Sequence, residues 1–188
     1  MNKNIILAGV GGQGLVLTTK IICEAAFKAG FDVKSNDVVG LSQRGGKVWG
    51  SVRIGEKVYS PNILPKSADI LLGMEPLEAY RWSGSLKEGG IAIVNTKTIA
   101  PVPVMFEEAP YPEDWLEVME QKYQVITMNA VEEGVKLGSS KVANTFLLGI
   151  LAKRLAFDTK FWLEAIEENV PAKFLDMNKR AFEIGYAY

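Results

Sequence analysis

Histidine is absent from this chain, and cysteine occurs once, as Cys23. The first absence removes by inventory a Ser-His-Asp triad, a Cys-His pair and every histidine-ligated metal site. The second removes an internal disulfide and any iron–sulfur cluster held by this chain alone, which needs about four thiolates. Cys23 falls inside a helical segment where core packing accounts for it. If the protein takes part in redox chemistry, the electron carriers are elsewhere. An excess of charge is missing too: 21 Lys and Arg stand against 22 Asp and Glu, a net charge of -1. Such a balance gives no general attraction to nucleic acid or to an anionic membrane. No apolar run reaches the roughly 18 to 20 residues of a membrane span, and Met1-Asn2-Lys3 leads straight into a strand. A soluble, cytoplasmic protein is expected. Internal repeats, low-complexity runs and dividing linkers are also lacking. With 188 residues, 48% of them hydrophobic, the chain has enough for one good core, and a single domain over 1–188 is expected.

Two glycine-rich turns are present. Gly9-Val10-Gly11-Gly12-Gln13-Gly14 follows the apolar run 4–8 and precedes 15–28, which reads as a helix: strand, glycine turn, helix, the context of a dinucleotide or phosphate fingerprint. Two readings fit these glycines. They permit a tight turn with close approach of an anion to the amides at the helix start, or they serve only the strand-to-helix connection. An NAD site also expects an acidic residue at the end of the second strand, roughly 20 residues on. The second strand, read as 31–35, ends in Ser35 and Asn36 with Asp37 displaced into a loop, which counts against NAD. A P-loop is disfavoured because no Lys-Ser/Thr pair follows the glycines.

The second turn, Ser42-Gln43-Arg44-Gly45-Gly46, adds one guanidinium. Arg44 is suited to two-pronged pairing with phosphate or carboxylate, or else is an exposed or internally paired arginine. A helix terminus offers about 1 kcal/mol, up to roughly 2 when partly buried, and one charge-assisted contact about 1.5 to 3. That sum gives millimolar binding at best, since 1 mM corresponds to about 4 kcal/mol. Such a site is incomplete unless another subunit finishes it.

Along the chain, 47–54 alternates as a strand, and 55–57 reads as a hairpin turn into 58–60, giving an antiparallel pair. A buried strand at 68–74 is followed by a helix that carries Pro76 in its first turn. Gly89-Gly90 reads as the separator before a strand at 91–95, and the proline-punctuated stretch 101–112 as irregular. A helix near 114–121 and a strand at 124–128 continue the pattern. The last third reads as helices at 130–137, 142–156, 160–169 and 172–185, the second of them apolar all round over 142–152 and so enclosed by its own domain or a partner. The fold expected is α/β: a three-layer α/β/α Rossmann-like domain with a mixed, largely parallel sheet and a helical C-terminal third.

These turns, the strand running on to Arg53, Ala68-Asp69 opening a strand that leads to Glu75-Pro76-Leu77-Glu78-Ala79, and Val170-Pro171-Ala172-Lys173-Phe174 together resemble the gamma-type domain of 2-oxoacid:ferredoxin oxidoreductases. The resemblance covers essentially the whole chain and is greatest to the small beta subunit of the indolepyruvate enzymes. It implies a catalytically inert accessory subunit of an enzyme that oxidatively decarboxylates arylpyruvates to acyl-CoA thioesters. Thiamine diphosphate and the iron–sulfur clusters would lie in a large partner subunit, and ferredoxin would accept the electrons. No catalytic or metal-ligating residue is assigned here. Gly9, Gly11, Gly12, Gln13, Gly14, Ser42, Gln43, Arg44, Gly45 and Gly46 are the expected ligand-binding or subunit-junction residues, with a contact to coenzyme A as one use of them. The alternatives are the gamma subunit of a pyruvate, 2-ketoisovalerate or 2-oxoglutarate enzyme, a structural partner whose fingerprint is empty, and a free-standing nucleotide-binding regulatory module.

Overall fold

A computed structural model of the chain describes residues 2–38, 46–99 and 111–188, and of Asp37 and Val38 the backbone only. Six strands form one sheet in the order β2-β3-β1-β4-β5-β6. They are β1 (Lys3–Val10), β2 (Asp32–Val38), β3 (Lys47–Gly55), β4 (Ala68–Gly73), β5 (Leu86–Asn95) and β6 (Gln124–Met128). The pairs β1–β4, β4–β5 and β5–β6 are parallel, whereas β3 runs antiparallel to both β1 and β2. Seven helices are described: α1 (Leu15–Lys28), α2 (Pro76–Trp82), α3 (Trp115–Glu120), α4 (Ala130–Lys136), α5 (Ala143–Ala152), α6 (Thr159–Asn169) and α7 (Leu175–Ala187). This is the expected mixed, largely parallel α/β architecture.

The period of two in β1 sorts its side chains between two cores. Ile5 and Leu7 join a large cluster with Ile22 and Ala25 of α1, Phe146 of α5, Trp162 of α6 and Phe182 of α7. Ile6 and Ala8 face a smaller one with Ala79 of α2 and Met119 of α3. Both faces of β1 are therefore dry, which is why it reads as a continuous apolar run. Helix α5, apolar all round, is enclosed by its own fold, with nine of its ten residues buried. It meets α7 almost backbone to backbone: a Cβ at Gly149 would fall 2.2 Å from the Phe182 carbonyl oxygen, and one at Gly185 2.0 Å from that of Phe146.

Three expectations are corrected. Residues 58–60 form no strand; the antiparallel pairs are those made by β3 with its two neighbours. Segment 60–62 instead covers the polar face of β3, with Arg53 Nη1 donating to the Ser60 carbonyl at 3.0 Å and Ser51 Oγ to that of Pro61 at 3.0 Å. Gly89 and Gly90 lie within β5 rather than before it. Ala68 pairs with Leu86 and Ile70 with Ile91, so the extra residues bulge out, and Gly89 turns them at a φ of 67°. Asp37 is likewise inside β2, paired with Gly50. The stretch 100–110 lies outside the described residues.

Candidate functional site

In open α/β sheets the ligand crevice lies outside the carboxyl ends of the strands, where neighbouring connections depart to opposite faces. Here that point is between β1 and β4: α1 packs on the larger core and α2 on the smaller. At that point the residues 9–14 turn meets Met74, whose amide donates to the Ala8 carbonyl at 2.8 Å.

Glycine is required in this turn for separate reasons. A Cβ at Gly9 would lie 2.8 Å from Gln13 Oε1 and 2.9 Å from both Leu15 Cδ1 and Met74 Cβ, so strand, turn and α2 entry close only around a bare backbone. Gly14, the α1 N-cap, has φ 77°, and Gly12 has φ 98°, left-handed values that cost other residues about 1 to 2 kcal/mol. The Gly11 amide donates to the Gly46 carbonyl at 2.8 Å, which ties the first turn to the end of the second. Helix α1 then starts with no side-chain cap and no acidic residue in its first turn, the electrostatic setting that favours an anion.

Gln13 spans the crevice. Its Oε1 accepts from the Val10 amide at 2.7 Å, and its Nε2 donates to the Met74 carbonyl at 2.9 Å. The Met74 carbonyl also accepts from Asn95 Nδ2 at 3.1 Å, and Asn95 Oδ1 accepts from the Ala130 amide at 3.1 Å. From the other side, Asn144 Nδ2 donates to the Gln13 carbonyl at 2.6 Å. One amide-rich seam thus joins β1, β4, β5, α4 and α5 at the carboxyl edge.

Beneath it lie two carboxylates. Glu75, fully buried, caps α2: Oε2 accepts from the Glu78 amide at 3.0 Å, and Oε1 accepts the Tyr111 hydroxyl at 2.7 Å. Burial and that carboxylate push the Tyr111 hydroxyl well above its ordinary range. Glu78, 1% exposed, receives Arg81 Nη1 on Oε1 at 2.5 Å, while its buried Oε2 has no hydrogen-bond partner among the described residues. Desolvation raises its carboxyl above the usual value, and the Arg81 charge opposes that only in part.

The structure places Gly9, Gly11, Gly12, Gln13, Gly14 and Gly46 together at this edge; Ser42, Gln43, Arg44 and Gly45 lie outside the described residues. Sequence reasoning gave Asn95, Asn144 and Tyr111 no role, and named Glu78 only within the motif that carries the family resemblance. The signal for Glu75 was available, an acceptor immediately before Pro76 at a helix start. Asp37 no longer counts against a dinucleotide by being in a loop, but the topology does. A dinucleotide fold sets its second strand directly beside its first, whereas β3 intervenes here and moves β2 to a distance of about 10 Å from β1.

A Rossmann-like sheet with one reversed strand, and a glycine turn clamped by its own glutamine and bonded to Gly46, defines the class. The chain belongs to the pyruvate ferredoxin/flavodoxin oxidoreductase family, whose model matches residues 4–188. It is 38% identical over 191 positions to the indolepyruvate oxidoreductase subunit IorB of Archaeoglobus fulgidus, spanning 99% of this chain and 94% of that protein. The IorB subunit of Thermococcus kodakarensis is 35% identical over 188 positions, spanning 97% and 93%. Among solved structures, the gamma subunit of a keto/oxoacid ferredoxin oxidoreductase from Geobacter sulfurreducens superposes with a TM-score of 0.73 at 25% identity, over 98% of this chain and 96% of that one. The chain is accordingly a small subunit of a multi-subunit oxidoreductase.

Proposed function

We propose that this chain is the small subunit of an indolepyruvate:ferredoxin oxidoreductase, which converts indolepyruvate and related arylpyruvates to acyl-CoA. The near-full-length similarity to the IorB subunits carries the reading. Thiamine diphosphate and the iron–sulfur clusters belong to a large partner subunit, and ferredoxin takes electrons through the complex. This agrees with a chain that has one cysteine and no histidine. Among the described residues no helix is long and apolar enough to cross a membrane, and the working compartment proposed is the cytoplasm. The whole of 1–188 acts as one domain.

Within that complex the carboxyl edge is the junction. The uncapped start of α1, flanked by Gly12 and Gly14, suits an anionic group such as a phosphate of coenzyme A, and Arg44 would be the cationic partner that completes it. Gln13 keeps the turn in shape for this rather than reaching out itself.

The test is co-expression with a candidate large subunit, purification through a tag on this chain, and assay of indolepyruvate-dependent ferredoxin reduction with coenzyme A. A co-purifying iron-containing partner, with activity that neither chain has alone, is expected. A chain that recruits no partner and binds a nucleotide by itself overturns the reading. In the active complex, Arg44→Ala is expected to raise the KM for coenzyme A about tenfold, the loss of one charge-assisted contact. Unchanged assembly and coenzyme A kinetics would remove the junction from this edge.

A further inference from the structure

At the opposite, amino end of the strands lies a cavity of about 420 Å³, within the size range of small-ligand sites. Its walls come from the starts of β1, β4 and β5, the end of β3 and the segments 57–58 and 66–67, and carry Arg53, Lys57, Lys66 and Lys87 against a single carboxylate, Asp69. Asp69 is already committed: Oδ2 accepts from the Asn4 amide at 2.8 Å and Oδ1 from Lys87 Nζ at 2.6 Å. The remaining cations are not neutralised inside the cavity. Arg53 is half-buried and held rigid, with Nε donating to Asn4 Oδ1 at 3.1 Å and Nη1 to the Ser60 carbonyl at 3.0 Å. Outside the cavity, Asp32 feels the charge of Lys57, but its oxygens are taken by Lys34 at 2.8 Å and by the Val58 amide at 2.9 Å.

A second observation points to the same place. Lys66 has φ 57° and is the one non-glycine residue among those described with a left-handed backbone. A lysine there accepts a conformation that glycine would adopt freely, and the residue lines the cavity wall.

We propose that this cavity is an anion site for a small phosphorylated ligand with two or more negative charges, of the pyrophosphate type. Arg53, whose Nη1 also donates to the Asn62 carbonyl at 3.3 Å, supplies a fixed charge and its Nη2 donors, and Lys57 and Lys66 close over the anion. The site is separate from the glycine turns, which lie at the other end of β1, and does not depend on the enzyme assignment. In a chain of net charge -1, a cavity whose cations outnumber its carboxylates by three concentrates charge in one place.

The experiment is calorimetric titration of the full chain with inorganic pyrophosphate at low salt, on the natural protein, Lys57→Ala/Lys66→Ala, Lys66→Gly and Arg44→Ala. Saturable one-to-one binding is expected, weakened about tenfold or more in the double variant and unchanged in Arg44→Ala. Lys66→Gly relaxes the left-handed residue, so its loss of binding is not a loss of folding. Absence of saturable binding, binding by the double variant equal to that of the natural chain, or loss confined to Arg44→Ala would each overturn the proposal.

Discussion

The carboxyl and amino ends of the same strands are built from different materials. At the carboxyl end, bare glycines let backbone meet backbone, and Gln13, Asn95 and Asn144 spend their amides on main-chain groups inside the fold. At the amino end, long cationic side chains line an open cavity and, Arg53 and Lys87 apart, make few bonds to the protein. The first end is shaped by steric necessity, so its function and its stability are coupled. Charge shapes the second, so it can change with little effect on folding.

Replacing residues at each end separates the two. Gly9→Ala is expected to cost most, about 2 to 3 kcal/mol in urea unfolding, because its Cβ meets three neighbours that are themselves packed. Gln13→Ala comes next, at about 1 to 2 kcal/mol, since the Val10 amide and the Met74 carbonyl each lose a partner. A Gln13→Ala chain as stable as the natural one would show that the clamp does not hold the crevice.

Glu78→Gln gives a smaller, pH-dependent effect. Burial raises the carboxyl of folded Glu78 above its ordinary value of 4.5, so the folded state binds this proton more readily than the unfolded state does. The contribution to stability is complete below pH 4.5 and is lost as pH rises through the folded value. Unfolding midpoints of Glu78→Gln should therefore gain on those of the natural chain between the two values and then stay level. A gap independent of pH would contradict the desolvation argument. Smallest of all is Lys57→Ala/Lys66→Ala, expected within about 0.5 kcal/mol of the natural chain, as for surface changes away from packed features. A larger loss would show that the amino end is also structural.

The sequence made the carboxyl end legible because steric necessity leaves glycines at fixed spacing and apolar runs beside them. The strand–turn–helix around Gly9 to Gly14, the buried strands and the C-terminal helices were readable for that reason. Gly89-Gly90 misled because the same residues that end a strand also turn a bulge within one. The strand at 58–60 was misread because β3 finds both its partners elsewhere, and long-range pairing leaves no local mark. The burial of Glu78 and the part played by Tyr111 were not legible, since burial of a carboxylate is decided by what folds over it. The basic cavity draws on residues from 2 to 87 and has no motif at all.

Hydrogen exchange on this chain, alone and in the purified complex with its large subunit, tests the central claim that the glycine-turn edge is where the subunit functions. The account predicts new protection in residues 9–16 on assembly. Unchanged exchange there, in a complex that is intact and active, would contradict it.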